Sequence, residues 1–213
     1  MATLPKVIGI SGNATVGKDL FFKLLSLRMT DKILTRFALA DELKLEADPF
    51  ILSKYGFSIF NCTSQQKEKV RPFLVSYGNK KRRETNGRHW IDILDDKIKK
   101  FQANNPDAIS CVCDIRDNVY ENDEADWIKD ECGGILVHIK KYKFVNGERV
   151  FTEPINVHEA KNEPALIKKA NYRIMWEDVL GEDSSYNNSN ENFQILVKRL
   201  NDHIEEFIKW LNR

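Results

Sequence analysis

Five short runs along the chain are apolar almost without a break: "KVIGIS" (6–11), "LTRFAL" (34–39), "ISCVCDI" (109–115), "ILVHIKK" (135–141) and "YRIMW" (172–176). Near-continuous rather than alternating hydrophobicity predicts parallel strands covered on both faces. Helical patterns fill the gaps. Residues 18–29 follow the first strand, and 40–55, 64–77 and 89–102 occupy the long interval before the third. Residues 118–132 open on Asn118 with Glu121 three positions on, a capping spacing, and close at Gly133-Gly134. The last helix, 191–212, places Phe193, Leu196, Val197, Leu200, Ile204, Phe207, Ile208 and Leu211 on one stripe. Asn146-Gly147 between β-prone runs predicts a hairpin, and 181–190 reads as a polar surface loop. Strands alternating with helices point to α/β class, a five-stranded mostly parallel sheet with helices on both faces.

Composition narrows this picture. The 213 residues, 42% hydrophobic, suit one core or one core with a small insertion. A net charge of +1 gives no argument for stable nucleic-acid binding. No apolar run reaches the ~20 residues of a membrane span. The N-terminus enters a strand at once, so no signal peptide is expected. Cys111 and Cys113 share a strand face, and with Cys62 and Cys132 they suit reduced thiols in a cytoplasmic protein better than disulfides or a metal site.

The first candidate chemistry follows the first strand. Gly12 to Lys18, "GNATVGK", has the glycine and lysine spacing of a phosphate-binding loop, set between a strand and a helix. Glycines let backbone amides turn inward on phosphate oxygens, the helix N-terminus adds partial positive charge, and Lys18 adds a full one. The plain alternative is a glycine-containing turn with a solvated lysine. Asp19 stands where Ser or Thr normally meets Mg²⁺. It is tolerable beside a triphosphate if a cation lies between them, or it is an ordinary acid in a helix's first turn.

A second carboxylate, Asp114, ends the third strand, at the sheet edge where ligands bind in such folds. It is a candidate for holding Mg²⁺ or its water, and Arg116 for pairing with it or reaching a phosphate. A surface Asp–Arg pair is the alternative. Residues 67–88 carry eight Lys or Arg against two Glu. Three readings stand: a solvated face, a nucleic-acid patch, or an anion-recognition region opposite the loop. The last makes Arg71, Arg83 and Arg88 candidates and leaves Lys80, Lys81 and Arg82 solvated.

The order of these segments resembles the phage-type deoxynucleoside monophosphate kinases, within the adenylate-kinase-like P-loop kinases. That family often carries Gly-Lys-Asp, as "SGNATVGKD" does. "FALADELK" (37–44), "RPFLVSYGNKKRRETNGRHW" and "CDIRDNVYENDEADWIKDECGGILVHIKK" resemble its later segments, singling out Arg71, Gly78, Arg83, Trp90, Asp114, Arg116 and Glu121. Leu20 departs from the family's usual Thr, and "VHEAKNE" (157–163) keeps only His158 and an acid of a His-x-Ser-Glu pattern. His158 is therefore read as an ordinary surface histidine.

The resemblance implies a single P-loop kinase domain over 1–213. A helical acceptor-binding insertion spans about 42–105, and a hairpin or lid about 142–157. It implies ATP-dependent phosphorylation of a (deoxy)nucleoside monophosphate in deoxynucleotide biosynthesis, with ATP and Mg²⁺. Residues Gly12, Asn13, Ala14, Thr15, Val16, Gly17, Lys18 and Asp19 would cradle the nucleotide. Lys18, Asp114 and Arg116 would be catalytic, Asp19 and Asp114 near the metal, and Arg71, Arg83, Arg88 and Trp90 at the acceptor. Expected partners are nucleotides, without a membrane or a stable nucleic acid; a homodimer is left open, and the location is the host cytoplasm for a phage protein. Two alternatives remain: a P-loop kinase for another small phosphorylated metabolite, and a nucleotide-binding module without turnover.

Overall fold

Alternate residues of the first strand point to opposite sides, and both sides are buried. In a computed structural model describing residues 4–178 and 191–213, Ile8 and Ile10 of β1 (Val7–Ser11) join one hydrophobic cluster and Val7 another. β1 lies centrally between β3 (Ile109–Ile115) and β4 (Ile135–Val145), both parallel to it. β2 (Leu34–Phe37) pairs outside β3, and β6 (Tyr172–Glu177) pairs outside β4, again in parallel. β5 (Glu148–Phe151) is antiparallel to the far end of β4 and makes a sixth strand. Asn146 and Gly147, at φ 53° and 84°, form the hairpin turn that the sequence predicts.

One face of the sheet packs against α1 (Lys18–Arg28) and α7 (Glu191–Leu211), with Phe21 and Phe207 edge to face at 5.3 Å. Leu200, Ile204, Phe207 and Leu211 carry the buried stripe of α7. The side chains of Phe193 and Leu196 and the predicted loop 181–190 lie outside the described residues. Cys111 and Cys113 share this face as buried free thiols. The opposite face is covered by α4 (Arg88–Asn104), Leu39 of α2 (Leu39–Tyr55), and Trp127 and Ile128. The expected α/β class, a mostly parallel sheet with helices on both faces, is the class found.

Three elements differ from the sequence reading. α3 (Ser64–Glu84) does not stop before Gly78 but runs through it. A Cβ at Gly78 would stand 3.2 Å from Leu43 Cδ2, so the missing side chain lets α3 pass close to α2. The predicted helix 118–132 begins only at Glu124, as a short turn α5 (Glu124–Asp126) continuing into a π-turn, Trp127–Glu131. Asp123 holds the Val119 and Tyr120 amides in a non-helical loop, at 2.8 and 3.2 Å, and caps Glu124 at 2.9 Å. Finally, α6 (Val157–Lys169) follows the hairpin, where no helix is predicted. Among the described residues no helix is long and apolar enough to cross a membrane.

Candidate active site

The carboxyl edge of the sheet gathers the candidate chemistry. Beyond β1 the backbone takes positive φ at Gly12 (140°), Thr15 (63°) and Gly17 (96°), and α1 starts at Lys18. A Cβ at Gly12 would meet the Ile139 carbonyl at 2.4 Å, so glycine is required there for space as well as angle. The loop is pinned from β6: Trp176, buried, donates its indole N–H to the Val16 carbonyl at 2.8 Å.

Lys18 turns back over this loop. Its Nζ donates to the Gly12 carbonyl at 2.7 Å and the Asn13 carbonyl at 2.8 Å, and the residue is buried. Burial, reinforced by the nearby Arg116 charge, draws its pKa down to about 8 against the pull of Glu159 and Asp114. Among the described residues its hydrogen-bond partners are neutral oxygens, so no carboxylate pairs with the ammonium directly and it is suited to an anion.

Asp114 is placed at the end of β3, where two residues of β3, Cys113 and Asp114, run against one of β1, Ile10, between the Gly9 and Ser11 pairings. Its carboxylate accepts the Leu39 amide at 2.9 Å and the Ala40 amide at 2.8 Å, capping α2 from another element. Burial pushes this carboxyl above its ordinary value, opposed by those two amides. Asp19 is exposed and accepts from Arg36 Nε at 2.8 Å, and Arg36 also reaches Asp41 at 2.7 Å. Among the described residues no group of three His, Cys, Asp or Glu side chains is arranged to hold a metal ion. Mg²⁺ asks for less than that, since it keeps several waters and takes one or two carboxylates besides phosphate oxygens. The exposed carboxylate of Asp19 fits that demand, whereas both oxygens of Asp114 are held by backbone amides.

Arg116 is half-exposed at the same edge, 3.5 Å from Glu159 Oε1. A small, partly open pocket lies beside it, lined by Gly12, Asn13, Arg116, His138, Glu159 and Glu163. His138 is buried, with Nδ1 3.0 Å from Ser11 Oγ, and burial lowers its pKa to about 4, so the ring is neutral. The apolar strand hid His138 from sequence reasoning. Glu159 and Glu163 were equally hidden, because the helix that carries them was not predicted.

The basic segment is sorted differently from the expectation. Arg71 pairs with Glu68 on its own helix at 2.6 Å, and Arg83 is exposed; among the described residues neither bonds to the loop. Arg88 clamps Glu131 with two nitrogens, at 2.5 and 2.9 Å, and bonds Asp92. Trp90 is 4% exposed and packs in the core beneath α3. Arg82, read as solvated, is buried in contact with three acids: Asp117 at 3.1 Å, Asp123 at 2.9 Å and Glu124 at 2.8 Å. Lys81 pairs with Glu46 at 3.0 Å. His158 is half-exposed and bonds Asp117. Glu124 accepts the Arg116 and Asp117 amides at 2.7 and 3.0 Å, which ties the Arg82 cluster to the exit of β3.

No family model matches the chain, and no curated protein matches it. Among solved structures, a dephospho-CoA kinase from Campylobacter jejuni is similar at 12% identity. The match covers 93% of this chain and 97% of that one, with a TM-score of 0.36. At that identity and score the likeness decides nothing about reaction or substrate.

Proposed function

We propose that the protein transfers the γ-phosphoryl group of ATP to a (deoxy)nucleoside monophosphate, giving ADP and the diphosphate. One observation carries this reading: a positive-φ loop between β1 and α1 with a buried Lys18 ammonium, hydrogen-bonded to two of its carbonyls, folded over it. Loop amides and Lys18 would bind the β- and γ-phosphates, and Arg116 would offset the charge that builds during transfer. Asp19 and Asp114 would hold a hydrated Mg²⁺, which supplies charge neutralisation between the phosphates. Arg71 and Arg83, both exposed on α3, would grip the acceptor phosphate. Catalysis of this kind is positioning and electrostatics, without a covalent intermediate.

The test is ADP formation from ATP and Mg²⁺ with each common nucleoside and deoxynucleoside monophosphate in turn. Turnover with one of them is the expected outcome. Transfer only to some other phosphorylated metabolite would replace the acceptor class, and ATP binding without transfer to any acceptor would leave a nucleotide-binding module. In the same assay Asp19→Ser is expected to keep activity within several-fold, since a hydroxyl also suits the metal's shell.

A further inference from the structure

An anion already lies on the loop, and it belongs to the chain itself. Glu159, in the first turn of α6, is 5% exposed, with Oε2 3.2 Å from the Ala14 amide and Oε1 3.5 Å from Arg116. One turn on, Glu163 accepts from Asn13 Nδ2 at 3.2 Å and faces Lys140 at 3.3 Å and His138 Nε2 at 3.8 Å. Helix capping is the ordinary use of an acid at this position, and Asn156 does accept the Glu159 amide at 2.9 Å. A capping glutamate reaches back to the amides at its own helix start, however. Glu159 touches Ile155 only at 3.4 Å and lies nearer to Ala14, 145 residues away. Its charge also raises the proton affinity of Lys18, so it acts on the same cation that the phosphates would use.

We infer that Glu159 and Glu163 form a latch that competes with the nucleotide's phosphates, so that α6 must release the loop before the loop can be used. The inference rests on the phosphate reading of Gly12–Lys18. A phosphoryl oxygen and the Glu159 carboxylate cannot share the Ala14 amide and Arg116, because both are anionic and the Glu159 carboxylate is itself buried. Affinity is then reduced by the fraction of molecules in which the latch is closed. The helix is suited to release. Its buried side chains are Glu159, Asn162 and Leu166, which leaves one large apolar anchor. At its start Ile155 is 60% exposed and Val157 is 84% exposed. Few buried apolar contacts mark a segment of low local stability.

The latch is tested by titrating Mg²⁺–ATP, and separately tripolyphosphate, into the 213-residue chain and into its Glu159→Gln and Glu163→Gln variants. Glutamine keeps an oxygen for the Ala14 amide and removes the charge. Glu159→Gln is expected to bind both probes about tenfold tighter, the scale of one charge-assisted hydrogen bond, and Glu163→Gln less so. In the unsubstituted chain, hydrogen exchange across 155–161 is expected to speed up when tripolyphosphate is added. That measurement stands whether or not a variant folds. If the probes bind, equal affinity in all three proteins, or exchange that slows or stays constant, overturns the latch and leaves the loop reading standing. Binding of neither probe to any of the three proteins overturns the loop reading, and the latch with it.

Discussion

Two buried cations stand near the same sheet edge, and their surroundings are opposite. Arg82 meets three carboxylates at hydrogen-bond distance, while the hydrogen-bond partners of Lys18 are two carbonyl oxygens. Burial works against both charges. For Arg82, Glu124, Asp117 and Asp123 outweigh it and hold the guanidinium more firmly charged than usual. For Lys18 nothing outweighs it, and the pKa drops to about 8. Burial, with Asp117 alongside, in turn pushes the Glu124 carboxyl well above its ordinary value. A cation whose charge is consumed inside the protein joins elements together: Arg82 ties α3 to the loop before α5 and, through Glu124, to the backbone at Arg116. A cation left uncompensated has charge to offer a ligand. The contrast separates an arginine whose charge is spent on carboxylates inside the fold from a lysine whose charge is not, without reference to motif.

The largest expected effect breaks the Arg82 side. Arg82→Met strands three acids in the interior and is expected to cost about 3–5 kcal/mol of stability in denaturant unfolding, as the loss of one partner from a buried ion cluster does. An effect within a few tenths of a kcal/mol would place those carboxylates in water and end the contrast. Lys18→Met is the mirror experiment. Unfolding stability is expected to hold or rise, while turnover falls by a factor corresponding to ~3 kcal/mol of transition-state stabilisation. Near-normal turnover would remove the phosphate reading of the loop.

The depressed pKa sharpens this further. If Lys18 acts as a charge, kcat/KM for ATP falls as pH rises through about 8, because the free enzyme loses its ammonium. The stability dependence has the opposite sense. A folded pKa below the unfolded value means that the contribution is fully present above the unfolded value of 10.5 and lost as pH falls through about 8. Stability measured between pH 8 and 10.5 should therefore carry a rising component that Lys18→Met abolishes. The smallest expected effect is at Trp176→Phe. It leaves the buried Val16 carbonyl unpaired and costs about 1–3 kcal/mol. A weaker affinity for ATP should accompany that loss, since the loop loses its pin.

Where a segment's own residues supply its partners, the sequence was readable. The strands stood out because β1 and β3 are buried on both faces and so are apolar along most of their length. α7 stood out because its core stripe is regular, and the loop because a strand-to-helix turn over phosphate needs glycines at set positions. α6 escaped because two of its three buried residues are polar and Pro164 sits inside it, so no apolar period marks it. The start of 118–132 misled for a related reason. Asn118 and Glu121 have cap spacing, yet Asp123 takes the nearby amides and delays the helix to Glu124. Among the basic residues, charge density marked the segment but not the member that matters, because Arg82 is distinguished only by acids 35 to 42 positions away.

The chain's own pattern therefore determined the α/β class, the strand-to-helix loop at Gly12–Lys18 and the position of Asp114 and Arg116 at a strand end. These are local properties, written in hydrophobic period, glycine placement and the spacing of a few residues. Tertiary structure alone decided which charges are used up and which remain. That Asp114 caps α2, that Glu159 reaches Ala14, and that Arg82 is buried among acids while Lys18 lies over carbonyls depend on contacts between distant segments. The electrostatic character of a side chain is set by the groups folded around it in a medium of low dielectric, and neighbours in sequence carry little of that information.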